Sequence, residues 1–191
     1  MEFYYILSRE VKYNNWILNL EHPKRRVMPE YAHLVCDRCG KVDEVAAIRS
    51  GIRADIRIRG SVDFLRSSEG LTLFSERARE SLKTKQIAGL EFIAVGTSGY
   101  YVALPKRFAT VNVAVSTMKF QRKCQKCSRF RETTGFPSRD SMKLPRNPRL
   151  IVAPDVFLER YYSRTFVYVV SSLVQDVFAT NGLTGAIFDE V

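Results

Sequence analysis

The chain has 191 residues, 46% hydrophobic and 26% charged, with 30 Lys and Arg against 20 Asp and Glu for a net charge of +10. That length allows a sizeable buried core, and the composition argues against a disordered or coiled-coil chain. The longest apolar run, 166–174, is broken by Ser171 and Ser172 and falls short of the ~20 residues of a membrane span; residues 1–15 carry charges where a secretory signal needs its apolar stretch, so a soluble protein of a reducing compartment is expected.

Residues 3–7, FYYIL, are mostly aromatic or β-branched and read as a first strand. Prolines, asparagines and charges make 11–30 a loop, with a short strand around 16–20. A strand over 32–35 leads to the first cysteine pair, Cys36-Asp-Arg-Cys39, with Gly40 free to take the positive φ that closes the turn. Residues 52–59 alternate apolar and charged side chains between Gly51 and Gly60, the pattern of a half-buried strand presenting Arg53, Asp55, Arg57 and Arg59 outward. Ser75 caps an expected helix over 76–85, acidic early and basic late, with Ala78 and Leu82 facing the core. A strand over 87–95, a turn over 96–99 and a strand over 100–104 follow, and 110–118 alternates moderately towards the second pair, Cys124-Gln-Lys-Cys127. Glycine and prolines make 133–148 irregular, Pro154 and Asp155 suit a helix start, and a longer helix is expected over 166–179. Asn181 and Gly182 stop that helix before a terminal strand holding Ile187 and Phe188.

All four cysteines fall into the two CxxC pairs. Two residues between thiolates let both sulfurs face one point, half of a tetrahedral zinc site, so Cys36, Cys39, Cys124 and Cys127 together form a candidate structural zinc centre. Inert thiols and disulfide or redox chemistry are the competing readings. The pairs are separated by 84 residues, far more than in a compact ribbon, so the intervening chain must be a folded insertion returning to the metal. Ser128 stands where the first pair has Gly40. Four thiolates would fill the coordination shell and leave no place for catalytic water.

The positive charge is concentrated. Between residues 105 and 149 there are 12 Lys and Arg and only Glu132 and Asp140, and the rest of the chain is balanced. Such a field favours acidic partners or phosphate backbones, although a solvated face and local compensation of a four-thiolate zinc are simpler accounts. Lys119, Arg122, Lys123, Lys126, Arg129 and Arg131 are the candidate partner contacts. Phe120 and Phe130 lie among them, suited either to base stacking in a nucleic-acid-binding protein or to packing beside the metal. With two histidines, His22 and His33, and no catalytic or phosphate-loop motif, enzymatic activity is not expected.

Residues 81–95 align with 177–191 at a constant spacing of 96, with Thr84/Thr180, Gly89/Gly185, Phe92/Phe188 and Val95/Val191 identical, and the cysteine pairs recur at a spacing of 88. Chance similarity of two helix-to-strand connections is the alternative. The chain reads as one α+β domain over 1–191, built of two related β-rich halves, about 1–104 and 105–191. Each half holds a helix, and a four-cysteine, zinc-ribbon-like site joins them.

The aromatic start at 3–7, the motif at 36–40, the phrase 74–95, the second motif at 124–127 and the closing phrase 177–191 with GLTG at 182–185 resemble a bacterial family named for its double CxxCG motif. Its members include immunity proteins encoded beside polymorphic toxins. The resemblance implies a cytoplasmic protein that binds and neutralises a cognate toxin, with zinc as scaffold.

Overall fold

The computed structural model describes residues 1–9, 17–18, 29–52, 56–58, 61–160 and 163–191. Strand β1 (Phe3–Ser8) precedes a 3-10 turn at Pro29–Leu34, helix α1 (Glu44–Ser50), strands β2 (Phe64–Arg66) and β3 (Thr72–Ser75), helix α2 (Glu76–Thr84), and strands β4 (Leu90–Ala94), β5 (Tyr100–Pro105) and β6 (Phe108–Val111). There follow β7 (Lys119–Lys123), β8 (Phe130–Thr134), a second 3-10 turn (Arg139–Ser141), β9 (Met142–Lys143), β10 (Ala153–Pro154), β11 (Leu158–Arg160), β12 (Ser163–Thr165), β13 (Tyr168–Ser171), α3 (Ser172–Thr180) and β14 (Ala186–Glu190). The architecture is α+β and rich in antiparallel strands. No helix among the described residues is long and apolar enough to cross a membrane.

Strand β1 lies between β13 and β14, antiparallel to both, in register Tyr5↔Val169 and Tyr5↔Asp189. Because side chains alternate along a strand, this sheet separates two cores. Phe3 and Tyr5 join Val167, Val169, Val111 and Met142 on one face, while Ile6, Tyr168 and Val170 enter the larger core on the other. The larger core also takes Leu73, Phe74, Val102 and Leu104 from a second sheet of order β2-β3-β5-β4.

Two arches of strand, helix and strand match element by element. β3, α2 and β4 begin at Thr72, Glu76 and Leu90; β13, α3 and β14 begin at Tyr168, Ser172 and Ala186, each 96 residues later. One antiparallel strand fills each arch, β5 between β3 and β4, and β1 between β13 and β14. Gly89 and Gly185 start the return strands at φ 104° and 91°, where an added Cβ would fall 1.9 Å from the Ile151 carbonyl oxygen and 2.2 Å from that of Phe64. Only glycine permits that approach. Phe92 packs edge-on against Phe74 and Phe188 against Phe178, with ring centroids 5.5 Å apart in both.

Several expected elements differ. The segment 32–35 is mostly 3-10 turn, and only Val35 makes a bridge, to Val42. In 52–59, the described residues 52 and 56–58 lie in no strand, and the remainder falls outside the described residues. Around 16–20 only Ile17 and Leu18 are described; both are buried and their backbone N–H groups donate to Glu69. The expected helix over 166–179 begins only at Ser172. The preceding Tyr-Val-Val-Ser is strand β13, because β-branched side chains with neighbours on both faces favour the extended chain. Pro154 ends β10 and begins no helix. Strand β6 stops at Val111, leaving Val113 and Val115 exposed. The irregular 133–148 segment contains the end of β8 and all of β9. Helix α1 was not anticipated, although Asp43 caps it by accepting from the Ala46 N–H at 3.0 Å.

Candidate metal centre

Each CxxC pair sits at the tip of an antiparallel turn, and the two turns share one hydrogen-bond pattern. The Cys36 N–H donates to the Lys41 carbonyl at 2.8 Å and the Gly40 N–H to the Cys36 carbonyl at 2.7 Å. In the second turn the Cys124 N–H donates to the Arg129 carbonyl at 2.8 Å and the Ser128 N–H to the Cys124 carbonyl at 2.9 Å. The Val35–Val42 bridge closes the first turn and the β7–β8 pairing of Lys123 with Phe130 the second. Gly40 and Ser128 occupy equivalent places with φ 72° and 59°. Serine therefore performs the glycine's turn, at a conformational cost of roughly 1–2 kcal/mol.

Packing brings the two tips together across the sequence. Cys36 and Cys124 sulfurs lie 4.0 Å apart, Cys39 and Cys127 sulfurs 3.5 Å, and all four fall within 4.8 Å of one another. A tetrahedron of sulfurs about 2.3 Å from zinc has edges of about 3.8 Å, so the cluster fits a four-thiolate ion closely. The thiols are free, and their spacing far exceeds the ~2.05 Å of a disulfide. The backbone N–H groups of Cys127 and Lys126 hold the Cys124 thiol down to about 6, and those of Cys39 and Arg38 lower Cys36 likewise. Burial pushes the Cys39 thiol up to about 12. A bound cation removes that penalty, since a coordinating thiol is deprotonated. These four cysteines are the one cluster of metal-type ligands among the described residues; exposed His33 is outside it, and His22 lies outside the described residues.

A buried ion network lies beneath the cluster. Lys41 and Arg129 occupy equivalent positions, each two residues beyond the second cysteine of its pair, and both point inward to Glu159. Lys41 Nζ donates to Glu159 at 2.9 Å; Arg129 Nη2 donates to Glu159 at 2.7 Å and Nη1 to Glu44 at 2.9 Å. Arg129 also donates to the Val42 carbonyl, and Arg164 adds a backbone bond to Glu44 and a side-chain bond to Glu159. Burial pushes the Glu44 carboxyl up against the pull of Arg129, whereas Arg129, Lys41 and Arg164 outweigh burial and hold Glu159 down. Thr133 supports the network by accepting from the Glu159 N–H at 2.7 Å.

The expected partner contacts separate accordingly. Lys119, Arg122, Lys123, Lys126 and Arg131 are exposed, whereas Arg129 is 9% exposed and committed to the two glutamates. Its charge is matched inside the protein, so it belongs to the scaffold beneath the four-sulfur cluster. Lys126 bonds Asp37 at 2.7 Å, joining the two tips. Phe120 and Phe130 are half-buried and packed together, with centroids 4.8 Å apart. The sequence reading missed Lys41, Glu44, Glu159 and Arg164; the like placement of Lys41 and Arg129 after each CxxC pair was the available signal. No protein-family model matches the chain, and no curated protein shows significant similarity to it.

Proposed function

We propose that this chain is an immunity protein that binds and neutralises a cognate bacterial toxin in the cytoplasm, on a body held by one structural zinc. The supporting observation is the four-sulfur cluster, which unites cysteines 88 residues apart at distances suited to a closed, non-catalytic metal shell. Such a centre stiffens a docking body without offering a reaction site. The direction towards a toxin rests on the resemblance to the double-CxxCG family. Two related halves, about 1–104 and 105–191, joined at a zinc-ribbon-like site, are part of this reading; the matched turns and the 96-residue spacing of the arches support them.

The test is co-expression with a toxin encoded directly beside the gene. Restored growth and recovery of a stable complex of the two polypeptides are the expected results. A chain that leaves toxicity unchanged, and that binds generic DNA or RNA with affinity falling steeply with salt, would overturn the reading in favour of nucleic-acid binding.

A further inference from the structure

We infer that the cleft beside the four-sulfur cluster is the docking site for an acidic segment of the partner. This deepens the proposed function and rests on it for the partner's being a polypeptide. The cleft has a volume of about 690 Å³, within the range of sites that enclose a few side chains, and no Asp or Glu lines it. Its rim carries Arg38 from the first tip and Arg122, Lys123 and Arg131 from the β7–β8 hairpin. Lys41 and Arg129 form part of its wall, but their charges are matched by Glu159 and Glu44.

The rim cations are not matched. Among the described residues the side chains of Arg38, Arg122 and Arg131 have no ion-pair or hydrogen-bond partner, and that of Lys123 meets only the Phe130 ring, at 5.7 Å. A dianionic four-thiolate zinc offsets part of this charge, and Lys126 and Asp37 neutralise each other beside it. Positive charge remains. Arg122 and Arg131 lie between the register pairs Gln121↔Glu132 and Lys123↔Phe130 without being paired themselves, so two like charges stand on neighbouring stretches of the hairpin. Arg122 also has φ 29°, outside the strand region. Neighbouring like charges and a strained backbone both oppose folding, and strain retained at one spot points to a ligand that uses it.

The chemistry favours carboxylates on a polypeptide over a nucleic-acid strand. Arginine forks match carboxylates in paired hydrogen bonds. A strand of bases needs open aromatic faces, but Phe130 packs against Phe120 and is covered by Lys123, leaving no free stacking platform. The cleft is also a local concavity bounded by the two metal-bearing tips, where a nucleic-acid track would extend along the backbone.

The test uses the full-length, zinc-loaded protein and a fluorescein-labelled oligo-glutamate peptide, followed by anisotropy at low salt. The peptide is expected to bind, and R122E/R131E to weaken it by about tenfold or more. K143E/R146E makes the same charge change on exposed positions that do not line the cleft, and is expected to have less than about a twofold effect. R122Q/R131Q, which adds no repulsion, should give an intermediate loss with zinc content unchanged and the unfolding midpoint no lower. Equal weakening by the two charge-reversal pairs would overturn the proposal, because diffuse charge would then explain binding. An oligodeoxynucleotide of equal charge that binds more tightly than the peptide through the same arginines would overturn it too. Once the toxin is in hand, retained toxin binding by R122E/R131E refutes the docking site and leaves the immunity reading standing. Cleft-dependent peptide binding by a chain that neutralises no toxin refutes the immunity reading instead.

Discussion

Arg129→Ala tests whether the ion network below the four-sulfur cluster is an essential part of the scaffold. Glu44 is 1% exposed and would keep a single hydrogen bond, from the Arg164 N–H at 2.8 Å. Glu159 would still have Lys41 and Arg164. Breaking a buried pair by removing one partner costs about 3–5 kcal/mol. The stranded Glu44 limits this by taking up a proton, which from an ordinary value of about 4.3 costs about 3.7 kcal/mol at pH 7. The expected loss is therefore at most about 3–4 kcal/mol, or roughly 6–16 °C in unfolding midpoint for a chain of this size. The same reasoning fixes a pH signature. In the variant the folded-state pKa of Glu44 lies above its unfolded value, so stability falls as pH rises from about 4.3 towards that folded value. Burial already raises Glu44 in the wild type and Arg129 pulls it back, so the deficit should grow as pH rises from the wild-type value towards the higher value of the variant. Urea unfolding followed by circular dichroism, with zinc and reductant across a pH series, measures this. A loss below about 1 kcal/mol, the scale of a surface ion pair, or a deficit independent of pH would refute the buried-network account.

Ser128→Gly should stabilise the protein by about 1 kcal/mol, because the residue already adopts φ 59°; unchanged or lower stability by thermal unfolding with zinc retained would contradict this. Asp63 accepts from Ser75, Arg77 and Thr184, which outweigh burial and hold it down to about 2. Its contribution is full above its unfolded value near 4 and is lost as pH falls to about 2, so Asp63→Asn should cost about 2–3 kcal/mol at pH 7 and flatten that part of the acid-unfolding curve. Metal analysis of the purified chain should find about one zinc per polypeptide, and Cys124→Ser should lower zinc retention against a chelator by orders of magnitude; full retention would remove Cys124 from the shell.

The four-sulfur cluster was legible because its chemistry is written locally, in two CxxC pairs that use every cysteine. The helix and return strand of each arch were legible through the Ser75 cap, Gly89, Gly185 and the phenylalanines that follow them, since helix ends and tight turns restrict residue choice; the leading strands β3 and β13 were not. Charges were harder to place. Arg129 reads like its neighbours in a basic stretch, and only the fold reveals that Glu44 and Glu159 reach it from 85 and 30 residues away. The 166–179 misreading has a related cause, because a continuous apolar run suits a buried strand as well as a helix. Tertiary pairing with β1 decides between them.

The placement of β1 has a consequence for synthesis on the ribosome. Its partners are the strands at residues 168–171 and 186–190, so it cannot find its neighbours until residues about 160 or more positions later have emerged. The β3, β4 and β5 sheet can form much earlier, from residues close together in the chain. That sheet should thus form first, with a sticky Phe-Tyr-Tyr-Ile-Leu segment waiting in the open. A stall or premature stop before residue 186 would leave that segment to pair with other chains.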